Sequence, residues 1–230
     1  MLFKNRFDAG ELLSQHLKLY HDKEIIMLLV PRGGVEVGLP SIKHFQFEWD
    51  LIITRKIGAP HHKEIAIGAV TVDGQYLLYE EYIEHLHVPT GYIEQEIEKE
   101  LREIKRRLIT YRGHDSFPNV QHKVVILVDD GIPTGFTLLA AIKSIKAHQP
   151  KKLILAVPVG PTETIEALRQ FVDEIICLHS IDHFTSVGAY YETFPQVTEE
   201  QMSYYLEDLK KVHHHVKSLI PLDKAFYLIC

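Results

Sequence analysis

The run Val124–Thr137, VVILVDDGIPTGFT, constrains this chain more than any other: a β-branched apolar segment stops abruptly at two adjacent carboxylates, Asp129 and Asp130. A short, uninterrupted apolar run bounded by turn residues predicts a strand buried on both faces, which belongs in a parallel sheet. The loop that follows, Gly131-Ile132-Pro133-Thr134-Gly135-Phe136-Thr137, carries two glycines and two threonines and runs into the helical pattern FTLLAAIKSIKAH. That order delivers the acids to the carboxyl edge of the sheet, where open α/β folds bind their ligands. Gly131 and Gly135 let the backbone turn tightly and approach an anion. The amides of Ile132, Thr134, Gly135, Phe136 and Thr137 can then surround a phosphate, with the helix dipole adding to the attraction. Two carboxylates beside a phosphate nest suit a phosphorylated sugar, the acids on ribose hydroxyls and the nest on the 5′-phosphate. A receiver domain also has paired acids after a strand, but near its start and without a T-G-x-T loop; here the pair lies past mid-chain.

Strand and helix signals alternate along the rest of the chain, which predicts an α/β fold with a mostly parallel sheet and right-handed crossovers. Residues 8–20 read as an amphipathic helix, 24–30 as a buried strand, about 35–45 as a helix, and 50–54 as a second strand ending in the basic pair Arg55–Lys56. Residues 65–72 and 76–80 read as two short strands joined by a turn at Asp73-Gly74. A helix at about 135–148, a strand at 152–157, a helix at 162–171 and a strand at 174–178 complete the core, and 198–217 closes the chain as a helix. The expectation is one domain over residues 1–230 with its core at about 23–185. The stretch 90–112 falls outside a minimal core. There Ile97, Leu101, Ile104, Leu108 and Tyr111 form one apolar seam on a long helix, supported by the pairs Glu98–Arg102 and Glu103–Arg107. Two readings of this arm stay open: a cover for the sheet or the C-terminal helix, and a dimer-forming element.

Composition enters by exclusion. With 46% hydrophobic and 24% charged residues over 230 positions, the chain is an ordinary globular one. No apolar run approaches the roughly 20 residues that span a bilayer. The segment MLFKNRFDAGELLSQHLK has acids and amides where a secretory peptide carries its apolar core. Two cysteines, Cys177 and Cys230, make no disulfide framework and fit a reducing cytoplasm. A net charge of −6 argues against a general nucleic-acid binder, though not against a polyanionic small ligand, which needs only local positive charge. His213-His214-His215 lies in a charged helical stretch with no acid at metal-ligand spacing and reads as a solvated face.

Two further segments supply local positive charge. Pro31-Arg32-Gly33-Gly34 ends the first strand, its glycines admitting a close anion and Arg32 offering a cationic fork. Arg55-Lys56-Ile57-Gly58 follows the second strand with two more cations, at what should be the same sheet edge.

The stretch 124–137 resembles the phosphoribosyl-pyrophosphate signature of the type I phosphoribosyltransferases at nearly every position. PRGGVEVG, TRKIGAP, the run Glu64–Val70 and Tyr191-Glu192-Thr193-Phe194 are similar to a subgroup of predicted phosphoribosyltransferases without a settled substrate, over roughly residues 5–210. The resemblance implies a Rossmann-like parallel sheet flanked by helices, with a small hood for which Phe184, Tyr190 and Tyr191 are candidates. It implies transfer of ribose 5-phosphate from phosphoribosyl pyrophosphate to a nitrogenous acceptor, a nucleobase or related compound, with release of pyrophosphate. On that reading Asp129 and Asp130 hold the ribose and favour an oxocarbenium-like anomeric carbon, and the loop 131–137 holds the 5′-phosphate. Arg32, Gly33, Gly34, Arg55 and Lys56 meet pyrophosphate, with Arg32 and Lys56 joining the two acids as catalytic candidates. Mg²⁺ is implied as a cofactor carried in by the substrate, with Asp129 and Asp130 as its protein candidates. Relatives acting on 6-oxopurines have an acid at the position of Pro133 and often a lysine at that of Phe136, so hypoxanthine and guanine are disfavoured here. The alternative is a non-catalytic regulator of the same fold that senses phosphoribosyl pyrophosphate. Cytoplasmic nucleotide salvage, and a homodimer, complete the expectation.

Overall fold

The computed structural model describes residues 2–21 and 23–219, with side chains through residue 212; the side chains of His213, His214 and His215, and all of Cys230, lie outside the described residues. The chain runs α1 (Arg6–Leu17), β1 (Ile25–Leu29), α2 (Gly33–Phe45), β2 (Glu48–Leu51), β3 (Thr54–Gly58), β4 (Ala66–Thr71), β5 (Tyr76–Leu78), α3 (Glu80–His85), α4 (Thr90–Arg112), β6 (Val124–Val128), α5 (Phe136–Ala147), β7 (Lys152–Pro161), α6 (Thr162–Arg169), β8 (Glu174–Ile181) and α7 (Glu199–Leu219). Five strands form a parallel sheet in the order β2-β1-β6-β7-β8. Every residue of β1 and β6 is buried, as uninterrupted apolar runs require of strands covered on both faces. In β1, Ile25, Met27 and Leu29 join the core shared with α1, α2 and α7, while Ile26 and Leu28 join the one shared with α5 and α6. The register pairs Leu29 with both Leu51 and Val128, so β1, β2 and β6 end level with one another, while β7, whose Ala156 pairs with Val128, runs on to Pro161. The segments that follow β1 and β6 therefore leave from one edge.

The second basic segment departs from its expected place. β2 ends at Leu51, and Arg55 and Lys56 lie inside β3, a strand of a separate antiparallel sheet ordered β3-β4-β5. The apolar run Leu51-Ile52-Ile53 conceals the change: it is buried throughout, so it reads as one strand, yet the chain passes there from one sheet to the next. The turn at Asp73-Gly74 is as expected, with Gly74 at φ 81°. Helix α3 went unanticipated, and no residue on it is buried. The seam on α4 is used within the chain: Ile104, Leu108 and Tyr111 are buried, Ile97 and Leu101 pack against the same core, and the helix lies on β3 and β4. The arm thus covers a sheet, the small one. It ends at Gly113, whose φ of 83° suits a helix C-cap. No described helix is long and apolar enough to cross a membrane.

Candidate functional site

The acid pair stands where β6 leaves the sheet. The Asp130 amide donates to Asp129 Oδ1 at 2.8 Å, which turns the first carboxylate back over the second residue. Burial and the neighbouring Asp130 charge push the Asp129 carboxyl well up from its ordinary range. Burial also raises Asp130, against the pull of Arg6, whose Nε lies 2.6 Å from Asp130 Oδ2. Arg6 comes from the first turn of α1 and was not singled out by any motif. Its Nη1 donates to the Pro195 carbonyl at 2.7 Å, and its guanidinium carbon lies 3.6 Å from the centre of the Phe194 ring. Glu36, on α2, completes the charged group: burial raises its carboxyl, with Arg6 and the Tyr205 hydroxyl opposing the shift.

The loop after the acids divides in two. The Ile132 amide donates to the Val159 carbonyl at 2.9 Å and the side chain is buried, so this residue anchors the loop to β7 and does not offer its amide to a ligand, as the sequence had suggested. Pro133 and Thr134 are exposed. Gly135 takes a left-handed φ of 75° as the cap of α5, and the first bond across that helix start runs from the Leu139 amide to the Gly135 carbonyl at 2.7 Å. The amides of Thr134 to Thr137 precede that bond, at the electropositive end of a 12-residue helix. The Phe136 side chain meets the Tyr79 ring edge-on, with centroids 3.6 Å apart.

The segment 31–34 reaches the acids by close packing. Gly33 and Gly34 lie in the first turn of α2 rather than in an open loop, and the Gly34 amide is already bonded to the Val30 carbonyl at 3.0 Å. A Cβ on Gly33 would stand 1.9 Å from Asp130 Oδ2, and one on Gly34 2.6 Å from the Val128 carbonyl oxygen. The glycines are thus required for contact with the acid pair itself. Arg32, joined to Pro31 by a cis peptide, has its Nη1 3.5 Å from Glu199 of α7, an exposed acid.

Arg55 and Lys56 each meet an acid that belongs to none of the segments 31–34, 129–130 and 131–137. Arg55 Nε lies 2.5 Å from the buried Glu100 of α4, and Lys56 Nζ lies 2.9 Å from the exposed Glu64. Of the hood candidates, Tyr191 is buried and donates its hydroxyl to the Asp130 carbonyl at 2.6 Å. Phe184 and Tyr190 stack on each other at 5.2 Å and stay half-buried beside the acid pair's support.

No group of three or more His, Cys, Asp or Glu among the described residues is disposed to hold a metal ion. The acid pair offers two carboxylates, one of them already carrying Arg6. Such a donor set fits a magnesium ion that takes most of its ligands from water and phosphate oxygens rather than from the protein.

The phosphoribosyl transferase domain family matches residues 4–193. Two proteins of Mycobacterium tuberculosis, from strains CDC 1551 / Oshkosh and ATCC 25618 / H37Rv, each named "putative phosphoribosyl transferase", are 34% identical over 207 residues. The match takes in 90% of this chain and 46% of each of theirs, so the chain spans less than half the length of the curated relatives it matches. The crystal structure of TT1426 from Thermus thermophilus is similar at a TM-score of 0.75 and 32% identity, over 91% of this chain and 99% of that one.

Proposed function

Because the chain belongs to the phosphoribosyl transferase domain family, we propose that it transfers the phosphoribosyl group of phosphoribosyl pyrophosphate to a nitrogenous acceptor and releases pyrophosphate. The observation that carries the proposal is the meeting, at one sheet edge, of an acid pair, a helix-start amide loop and the Arg32 segment. The amides of Thr134 to Thr137 receive the 5′-phosphate. Asp129 accepts from ribose hydroxyls, and the charge of the acid pair favours a developing cation at the anomeric carbon. Arg32 exchanges its long contact with exposed Glu199 for the diphosphate. When bound, magnesium supplies neutralisation of the departing diphosphate. Lys56 can leave an exposed partner, since surface ion pairs are weak, and swing to the same phosphates. Arg55, held on a buried acid, stays with α4. Without a carboxylate at Pro133, and with Phe136 packed on Tyr79, a 6-oxopurine is disfavoured as acceptor.

A screen of purines, pyrimidines and other amines for Mg²⁺-dependent pyrophosphate release tests the proposal. Binding of phosphoribosyl pyrophosphate with no release for any acceptor would instead support a sensor. In the same preparation, Arg32→Ala is expected to weaken phosphoribosyl pyrophosphate more than ribose 5-phosphate, which lacks the diphosphate. Equal losses would remove Arg32 from the pyrophosphate end.

A further inference from the structure

The two carboxylates of the acid pair are not equivalent, and the cause is Arg6. The N-terminal segment is paired to the segment after β8: the Leu2 and Phe3 amides donate to the Tyr190 carbonyl, Glu192 donates to the Phe3 carbonyl at 2.9 Å, and Thr193 to the Lys4 carbonyl at 3.0 Å. One turn after Arg6, Gly10 allows α1 to close on α2, where a Cβ would stand 2.3 Å from the Val37 carbonyl oxygen. Between these anchors the Arg6 guanidinium is held by a carboxylate, a carbonyl and a ring face, with its side chain only 7% exposed. A magnesium ion on Asp130 Oδ2 would need a distance of about 2.0–2.1 Å, and a guanidinium nitrogen already stands at 2.6 Å from that atom. Among the described residues, Asp129 has no ion pair of this kind.

We propose that Arg6 is a positioning residue that acts as a resident cation on Asp130, disfavouring a metal at its Oδ2 and leaving Asp129 as the carboxylate presented to ribose and its divalent ion. The inference rests on the phosphoribosyl-transfer reading of this site and assigns its charge. It explains why Gly33 must lack a side chain: a Cβ there would also stand 2.9 Å from Arg6 Nε and drive the two partners apart.

The probe is Mn²⁺ alone, its binding followed by electron paramagnetic resonance on the full chain without any phosphorylated ligand. The native protein and Arg6→Lys are expected to bind Mn²⁺ weakly. Arg6→Gln, which unmasks a unit charge beside the site, is expected to bind it about tenfold tighter or more, and Arg6→Gln with Asp130→Asn is expected to return to the native value. Equal Mn²⁺ affinity in native protein and folded Arg6→Gln overturns the proposal. So does an Arg6→Lys variant that behaves like Arg6→Gln, because the packing of the guanidinium rather than its charge would then matter. Should Arg6→Gln not fold, titration of Mg²⁺-loaded phosphoribosyl pyrophosphate into two other variants decides: Asp129→Asn is expected to lose more affinity than Asp130→Asn, and the reverse order overturns the assignment. A native protein that binds no phosphoribosyl pyrophosphate removes the underlying functional reading, whereas native binding with unaltered Mn²⁺ affinities removes only the role of Arg6.

Discussion

Gly33→Ala is the substitution whose consequence the geometry fixes most tightly. Its Cβ would stand 1.9 Å from Asp130 Oδ2, 2.5 Å from Asp130 Cγ and 2.9 Å from Arg6 Nε. Ordinary carbon contacts lie at about 3.5–4.0 Å, so the carboxylate must retreat by more than an ångström. Arg6 cannot follow, because the Pro195 carbonyl at 2.7 Å and the Phe194 ring hold it. Overpacking costs about 1–3 kcal/mol and a broken buried ion pair about 3–5 kcal/mol; these overlap, because one movement causes both. Alanine's better helix propensity returns about 1 kcal/mol, which leaves a net loss of about 3 kcal/mol. At about 2–4 °C per kcal/mol for a chain of this size, the midpoint falls by about 6–12 °C. Gly91→Ala is the control: it also sits in the first turn of a helix, α4, but nothing lies within 4 Å of its Cβ, so it should gain up to about 1 kcal/mol. Thermal unfolding of both variants checks the pair. A Gly33→Ala midpoint within about 2 °C of native would refute the contact between the α2 start and the acid pair.

Tyr79→Phe should leave stability unchanged or raise it by up to about 1 kcal/mol, because the buried Tyr79 hydroxyl has no hydrogen-bond partner among the described residues and burial pushes its ionisation up; a clear loss in urea unfolding would mean the hydroxyl is bonded. Asp73 ties the small sheet to α5. Burial raises its carboxyl, but hydrogen bonds from Thr71, Ser144 and His148 outweigh that and hold it below its ordinary value. A depressed folded-state value contributes stability above the unfolded pKa of about 3.9 that is lost as pH falls through the folded one. Asp73→Asn should therefore cost about 1–3 kcal/mol at pH 7 and progressively less in acid, and a cost independent of pH between 7 and 3 would count against the latch.

The central strand and the helix after it were legible because their physics is local. A strand buried on both faces writes itself as an unbroken apolar run, and the capping glycine of a helix has to sit where the backbone turns left-handed. The small sheet was legible only as a hairpin. Its third strand was hidden because Ile52 and Ile53 are as buried as a strand interior, and burial alone does not say which sheet a residue serves. The Ile132 amide was misassigned for a related reason: loop amides look alike in a sequence, and only the approach of Val159 from β7 shows which of them is already bonded.

Arg6 had no legible signal. It lies 124 residues from Asp130, in an amphipathic segment where an arginine ordinarily means a solvated face. The glycines of the segment 31–34 read in the sequence as backbone that admits a close anion, and nothing there shows that they also pack on the Asp130 carboxylate and the Val128 carbonyl, at the base of the acid pair. Those two facts share one explanation. Burial makes negative charge costly at the acid pair and raises the carboxyls of Glu36, Asp129 and Asp130, with the Asp130 charge adding to the rise at Asp129. One guanidinium close to the second acid relieves part of that cost, and a glycine must yield the space for that contact. What remains uncompensated sits chiefly on Asp129, at the sheet edge, where an incoming cation gains most by meeting it.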